Sequence, residues 1–218
     1  MSKSNKLKDE YDKLYGHLPD SQEELLQYIK NHWRISEKNI DRGLEYFDSI
    51  KWKSCSYSIP IIPKPSPRPR STSNGSHFYV KGAALHKRYI KSIIEIEKII
   101  YTICSVNIKI YQPTPISSMT NTEIYLAQLG LIRPISGGDW DNFAKTYCDA
   151  VQDTLIINDN IIYKGTCERF YSLKPRVDIT IAYQDRFDSK FNERKIVNSI
   201  SYKNNLERIK NDEEKDQQ

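Results

Sequence analysis

The apolar positions of the first fifty residues repeat at helical spacing and follow two helix-start signals. Each signal, at Ser21 and at Ser36, precedes an apolar run with a period near 3.6. The pattern predicts two short amphipathic helices at about 20–50. We expect them to pack on a core, because Trp33, Trp52 and the Leu and Ile faces of these helices need burial.

The rest of the chain mixes strand-like alternation with helical spacing. A Lys174-Pro175 turn separates the last two apolar runs and predicts that they form an antiparallel hairpin. The predicted strands are residues 54–62, 105–111, 161–173 and 176–183, and the predicted helices are residues 83–103, 120–130 and 139–154. We therefore predict an α+β fold, a mixed sheet of about four strands with packed helices, plus an N-terminal helical extension.

A cluster of polar residues begins the predicted helix at 139–154. Asp139 and Asp141 follow Gly137-Gly138, and Lys145 lies one turn after Asp141 on the same face. Two carboxylates at one helix start suit Mg²⁺, which takes oxygen ligands and needs only one or two carboxylates. The ordinary alternative is that the acids stabilise the helix dipole and that Asp141 pairs with Lys145 in a solvated salt bridge.

This stretch resembles the core motif of the RusA family of Holliday-junction resolvases, which is Asp-x-Asp-Asn-x-x-Lys, then Asp-Ala, then an Asp pair before an apolar strand. The matching residues are Asp139–Lys145, Asp149-Ala150, Asn158-Asp159 and Ile161-Ile162, preceded by a proline- and arginine-rich segment, Pro63–Arg70. The resemblance covers about residues 55–185, which implies a helical extension at 1–54, a nuclease domain at 55–185 and a charged tail at 186–218.

The resemblance implies a catalytic set of three aspartates and one lysine. Asp139, Asp141 and Asp159 are expected to hold Mg²⁺, and Lys145 to contact the scissile phosphate or the leaving oxygen. Asn158 replaces the first acid of the usual pair, so Asp159 is left alone there. Asp149 is interpreted as a structural or solvated residue.

Basic residues concentrate between Lys64 and Lys109. The chain has a net charge of +5, and this segment alone holds nine basic residues against Glu95 and Glu97. A local excess of this kind is typical of proteins that bind the phosphate backbone. The expected DNA contacts are Lys64, Arg68, Arg70, Lys87, Arg88 and Arg169.

Together these features predict a Mg²⁺-dependent, structure-selective endodeoxyribonuclease that cuts four-way junctions or other branched DNA in recombination and repair. The resemblance also implies a homodimer and a phage or prophage setting in a bacterial cytoplasm. Scattered cysteines, a charged start and the lack of a long apolar run predict no disulfide framework, signal peptide or membrane span. The main alternative is a non-catalytic protein that binds branched DNA; a haloacid-dehalogenase-like phosphatase is disfavoured because no apolar strand leads into Asp139.

Overall fold

The computed structural model describes residues 21–66, 70–71, 77–78, 83–94, 99–152, 154–205 and 207, and divides the chain into two compact units, 1–49 and 50–218. The first unit contains α1 (Gln22–His32) and α2 (Glu37–Asp48), which confirms the two predicted helices. The Ser21 hydroxyl accepts a hydrogen bond from the Glu24 backbone N–H at 3.2 Å, as an N-cap does. No residue of α1 or α2 is buried, so the packing of these helices on a core stays a prediction.

The second unit is built on a mixed four-stranded sheet, as predicted. Its strands are β1 (Trp52–Ile59), β4 (Cys104–Pro113), β5 (Ile162–Ser172) and β6 (Arg176–Gln184), in the order β1-β6-β4-β5. A separate two-stranded sheet joins β2 (Arg70–Ser71) to β3 (His77–Phe78). Strand β6 is antiparallel to β1 and β4, whereas β4 and β5 are parallel.

The predicted hairpin between the last two strands is wrong, because β4 lies between β5 and β6. Every second residue of β4 is buried and the strand pairs on both edges, so it occupies the centre of the sheet. Residues 173–175 connect β5 to β6, the strands that pair with the two edges of β4. Neighbouring strands are about 4.8 Å apart, so a connection of three residues is long enough to pass over one strand.

In the described part of the second unit, the α-helices that accompany the sheet are α3 (Ala83–Ile93), α4 (Asn121–Gln128), α5 (Trp140–Val151) and α6 (Lys190–Val197). The prediction of a helix up to residue 103 is wrong at its end. Ile100 forms an isolated bridge with Ile156, in which its backbone N–H donates to the Leu155 carbonyl at 2.8 Å. The β-branched isoleucines of this stretch have low helix propensity, which makes the extended pairing competitive.

Helices α3 and α5 contact each other, and α5 also contacts β4 and β5. The core between these elements is apolar and almost fully buried, and each such side chain stabilises the fold by about 1.5–3 kcal/mol. Its largest members include Ile59, Ile90, Val106, Ile108, Ile110, Phe143, Tyr147, Ile179 and Ile181. Within the described ranges, no helix is long and apolar enough to span a bilayer.

Residues after β6, predicted as a charged tail, continue into α6 and a helical stretch at 200–205. The rings of Tyr101 and Tyr202 lie 5.0 Å apart, and the Tyr101 hydroxyl donates to the Asn205 side-chain oxygen at 3.2 Å. Asn205 is buried. This part of the chain therefore contacts the sheet domain through specific side chains.

Candidate active site

A two-glycine turn leads into α5, and Asp139 is the N-cap of that helix. Gly137 and Gly138 have φ values of +88° and +127°, a backbone conformation that L side chains rarely adopt. The carbonyl of Asp139 accepts the first helical hydrogen bond, from the Phe143 N–H at 3.3 Å. Asp139 and Asp141 are exposed at this helix start, as predicted from the sequence.

The turn is also crowded on both sides by other parts of the domain. A Cβ atom built on Gly138 would lie 2.6 Å from Cγ of Pro65, and one built on Gly137 would lie 2.8 Å from Nε2 of Gln112. The proline-rich segment and the end of β4 therefore press against the turn that carries Asp139.

Hydrogen bonds fix the proline-rich segment along α5. The Ser66 N–H donates to the Asn142 carbonyl at 3.0 Å, and the Lys64 N–H donates to the Tyr147 hydroxyl at 3.2 Å. His86 of α3 reaches the same hydroxyl, with Nε2 at 3.4 Å. Burial raises the pKa of Tyr147, so its hydroxyl stays protonated and neutral. The pKa of His86 is lowered by burial and by the charge of Lys64.

Lys145 lies one turn after Asp141 on α5, and both side chains are exposed. Among the described residues, no ion pair joins these two side chains. Asn142 instead contacts the first acid, because its Nδ2 donates to Oδ2 of Asp139 at 3.3 Å. The exposed face of α5 thus presents a carboxylate and an ammonium group side by side.

Asp159 lies in a short 3-10 turn (Asp159–Ile161) immediately before β5, and it is exposed. The preceding Asn158 side chain accepts a hydrogen bond from the Asn160 N–H at 2.9 Å, so it stabilises the turn. The pKa of Cys148 on α5 is raised by burial and then by the carboxylates of Asp149 and Asp159. The carboxylates of Asp159 and Asp149 therefore both influence the Cys148 thiol of α5 electrostatically.

The donor chemistry fits a hard divalent cation, since every predicted ligand is a carboxylate oxygen. In the described part of the chain, however, no group of three or more His, Cys, Asp or Glu side chains has a geometry that could hold a metal ion. Asp139 and Asp141 share one helix start, whereas Asp159 influences Cys148 in the second half of α5. Mg²⁺ usually binds one or two carboxylates together with water and phosphate, so the pair at the helix start could begin such a site and Asp159 would complete it.

Arg169, which the sequence predicts to be a DNA contact, lies on β5 with protein partners. Its Nε and Nη2 donate to Oε1 of Gln112 at 3.3 and 3.0 Å, and Nη2 also donates to the Ser136 carbonyl. Its guanidinium carbon is 5.1 Å from the centre of the Phe143 ring. Arg169 therefore links β4, β5, α5 and the residue before Gly137.

The structure describes the side chains of only some of the other predicted DNA contacts. Lys64 and Arg88 are exposed. Arg70 belongs to β2 and Lys87 to α3, but their side chains lie outside the described residues, as does all of Arg68.

Two residues that connect the site to the sheet were missed by sequence reasoning. Trp140 Nε1 donates to the Cys167 carbonyl on β5 at 2.6 Å, which ties the start of α5 to the sheet. Gln112 is buried and accepts from Arg169. The position of Trp140 directly between two candidate ligands was the available signal for that residue. Nothing in the local sequence pattern indicates the role of Gln112.

Comparisons with known proteins agree with the residues at the site. The family model described as "Endodeoxyribonuclease RusA" matches residues 60–182. The chain is also 30% identical over 122 residues to the "Uncharacterized protein YqaN" of Bacillus subtilis (strain 168), a match that covers 52% of this chain and 85% of that protein. The family match contains all the predicted site residues, and α1, α2 and α6 lie outside it.

Proposed function

This chain belongs to the RusA endodeoxyribonuclease family, and from that premise we propose that it is a Mg²⁺-dependent endonuclease that resolves four-way DNA junctions. The observation that carries the proposal is the helix start itself. Asp139 and Asp141 are exposed behind a turn whose two positive-φ positions favour glycine, and Lys145 is exposed one turn later. Glycines at such a turn let a ligand such as a phosphate approach the backbone of this helix start closely.

In the proposed reaction, Asp139 and Asp141 would hold Mg²⁺ at the start of α5, with Asp159 as the third carboxylate of the set. When bound, Mg²⁺ lowers the pKa of water and neutralises charge on the phosphate. Lys145 donates to a phosphate oxygen or to the leaving oxygen, where its charge favours the transition state. The N-terminus of α5 adds partial positive charge from its unpaired backbone N–H groups, which also suits a phosphate.

The proposed DNA path follows the basic region. Lys64 and Arg88 are exposed, and Arg68, Arg70 and Lys87 belong to the same basic stretch. Such residues neutralise phosphates without reading sequence, which suits a substrate defined by its branch.

A homodimer would match the two-fold symmetry of a four-way junction, which has two equivalent strands to cut. We assign the activity to DNA recombination and repair in the cytoplasm of a bacterial or phage-infected cell.

A non-catalytic protein that binds branched DNA is the second candidate. It is favoured by one observation, that the described residues hold no group of three metal-ligating side chains. Against it stands the exposed carboxylate pair at the helix start, because carboxylates facing phosphate repel DNA unless a cation lies between them.

The deciding experiment is incubation of the full chain with a labelled synthetic four-way junction, with Mg²⁺ or with a chelator. Asp139→Asn, Asp141→Asn and Asp159→Asn should each abolish cleavage and leave junction binding intact, because the amide keeps the shape and removes the charge. Asp41→Asn, on α2 outside the family match, is the matched control. Tight junction binding by the parent without cleavage in any divalent cation would favour the second candidate.

A further inference from the structure

The C-terminal helix α6 and the turn that carries Asp159 form the two sides of one cavity. The cavity has a volume of about 320 Å³, and Tyr101 and Phe187 also line it. One side presents Asn158 and Asn160, the two neighbours of Asp159, and the other presents Asn192 and Lys195. Both Asn192 and Lys195 lie outside the family-matched residues, so this wall is built by a part of the chain that the family model does not cover.

A second cavity adjoins the first. It has a volume of about 330 Å³ and shares Tyr101 and Phe187 with its neighbour. Its polar lining includes Lys53, Gln184, Asp185 and Arg186, and the last two form an ion pair at 3.3 Å. The two cavities therefore form a groove that starts beside Asp159 and passes the two aromatic rings, and we call it the C-terminal groove.

The lining of the C-terminal groove has the chemistry of a site for unpaired nucleotides. Single-stranded DNA is bound by aromatic rings that stack on bases and by cations that follow the phosphates, while amides can bond to base edges. Phe187 is a half-buried ring, and Lys195 is an exposed cation. Each cavity falls in the size range of small-ligand pockets, about 300–1,000 Å³.

Gln184 adds an independent indication of a ligand. Within the described part of the chain, its side-chain Oε1 is buried and has no hydrogen-bond partner. A buried acceptor is normally paired, so an incoming donor would satisfy it. The exocyclic amino groups of cytosine, adenine and guanine are such donors. An unpaired thymine offers its ring N3–H instead.

We propose that the C-terminal groove binds unpaired nucleotides of the DNA strand beside the scissile phosphate, with Lys195 on a phosphate, Phe187 against a base and Gln184 accepting from a base N–H group. The inference rests on the proposed function, because that function is what brings DNA to Asp159. It names a substrate feature, local unpairing at the branch, which exposes the base N–H groups that pairing would occupy.

The test measures binding of single strands of about twelve nucleotides, oligo-dT and oligo-dT methylated at N3 of every thymine, by fluorescence anisotropy in chelator. Lys195→Ala should lower the slope of log affinity against log salt by about 0.7, the loss of one phosphate contact on a single strand. Lys203→Ala, an exposed lysine that does not line either cavity, should leave the slope unchanged. Gln184→Leu should remove the preference for the unmethylated strand, and Phe187→Leu should weaken both strands.

An unchanged slope for Lys195→Ala, or equal binding of the methylated and unmethylated strands by the parent, would overturn the proposal. Lys195 is exposed, so its variant stays informative even if Gln184→Leu fails to fold. Junction cleavage separates the two proposals. A parent that binds single strands through Lys195 but cuts no junction would refute the nuclease assignment alone, whereas normal cutting with no effect of Lys195 on strand binding would refute the groove alone.

Discussion

At the residue scale, Arg169 could either contact a DNA phosphate or hold the site in position, and its hydrogen-bond partners distinguish these two roles. The side chain donates to Gln112 and to the Ser136 carbonyl and lies against the Phe143 ring. A guanidinium with its donors engaged in this way holds the glycine turn in position rather than reaching for a phosphate. The sequence could indicate a basic residue at this position but not the direction of its side chain.

Arg169→Ala should therefore lower the single-turnover cleavage rate by about 10²-fold, the effect of a small misplacement of reacting groups. Junction affinity and its salt slope should stay near those of the parent. The readouts are the single-turnover rate on the junction and the binding slope. A slope smaller by about 0.9 would instead mean a lost phosphate contact, as the sequence predicted. Arg169→Lys should not restore the rate, because an ammonium cannot make the same fork of bonds.

Lys145 carries the second prediction at this scale. Lys145→Ala should lower the cleavage rate by about 10²-fold, the scale of losing one preorganised electrostatic donor, with little change in affinity. Lys164→Ala, an exposed lysine on β5, is the matched control. The alternative, a helix-surface salt bridge worth about 0.2–0.5 kcal/mol, predicts a rate close to that of the parent. Single-turnover rates at saturating Mg²⁺ separate these outcomes.

The third prediction at this scale concerns the stability of the fold at Gly138. Gly138→Ala should lower the free energy of unfolding by about 1–3 kcal/mol, because the backbone is in a conformation that alanine rarely adopts and Pro65 occupies the space of the new methyl group. Gly165→Ala on β5 is the control, since nothing lies within 4 Å of its added Cβ. Urea unfolding measures both. Equal stability of the two variants would show that the turn relaxes without cost.

At the element scale, local signals predicted α5 well and long-range pairing poorly. One short stretch of sequence contains all the signals for α5, namely its helical period, its N-cap and the neighbouring acids. The signal for α4 is equally local, because the side chains of Thr120 and Glu123 form its capping box. The position of β4 between β5 and β6 depends on contacts between distant segments, which a turn signal at Lys174-Pro175 does not contain. The end of α3 was likewise decided by pairing of Ile100 with Ile156.

The contact between α3 and α5 leads to a prediction on pH. The pKa of His86 is lowered by burial and by Lys64, so the folded state binds its proton less readily than the unfolded state does. Above the ordinary His86 pKa of about 6.5, the residue is neutral in both states and its contribution to the free energy of unfolding is complete. As the pH falls from there through the lowered pKa of the folded state, the unfolded state binds the proton more readily and this contribution is lost. Unfolding free energy should therefore decline below about pH 6.5.

Replacing His86 tests this directly. In His86→Gln the decline between about pH 7 and about pH 5 should be smaller than in the parent. His32→Gln, which alters a histidine on α1, should keep the parental profile. Denaturant unfolding at several pH values supplies the measurement. Identical profiles for the parent and His86→Gln would assign the decline to other groups.

At the scale of the whole molecule, the candidate site could be predicted from sequence because it lies in the part that the family shares. The residues Asp139, Asp141, Lys145 and Asp159 all fall within the matched residues. Outside the match, helix-start signals predicted α1 and α2 as helices, but α1, α2 and α6 carry no family motif, so the sequence did not indicate what these helices contribute. The placement of Lys195 beside the Asp159 turn is the clearest example, because 36 positions separate these residues in the sequence.

The last prediction concerns assembly. Large apolar side chains are exposed just before the glycine turn: Leu129 is 58% exposed, Leu131 69% and Ile135 96%. Large apolar side chains that are exposed close together in the sequence are typical of an interface, and a second copy would double the cutting sites for a symmetric junction. The full chain should therefore have the mass of a dimer in light scattering, and Leu131→Asp should shift it toward the monomer.

The consequence for cleavage distinguishes a dimer interface from an incidental apolar surface. A dimer cuts both strands of one junction within a single binding event, so the parent should give linear duplex products, whereas Leu131→Asp should accumulate junctions with one nick. Ile200→Asp, which alters an equally exposed apolar residue at 77% exposure, is the control and should behave like the parent. A supercoiled plasmid with an extruded cruciform reads out both products at once, because one nick relaxes the circle and two linearise it. A monomeric parent that still produces linear plasmid would mean that two-strand cutting needs no second copy of the chain.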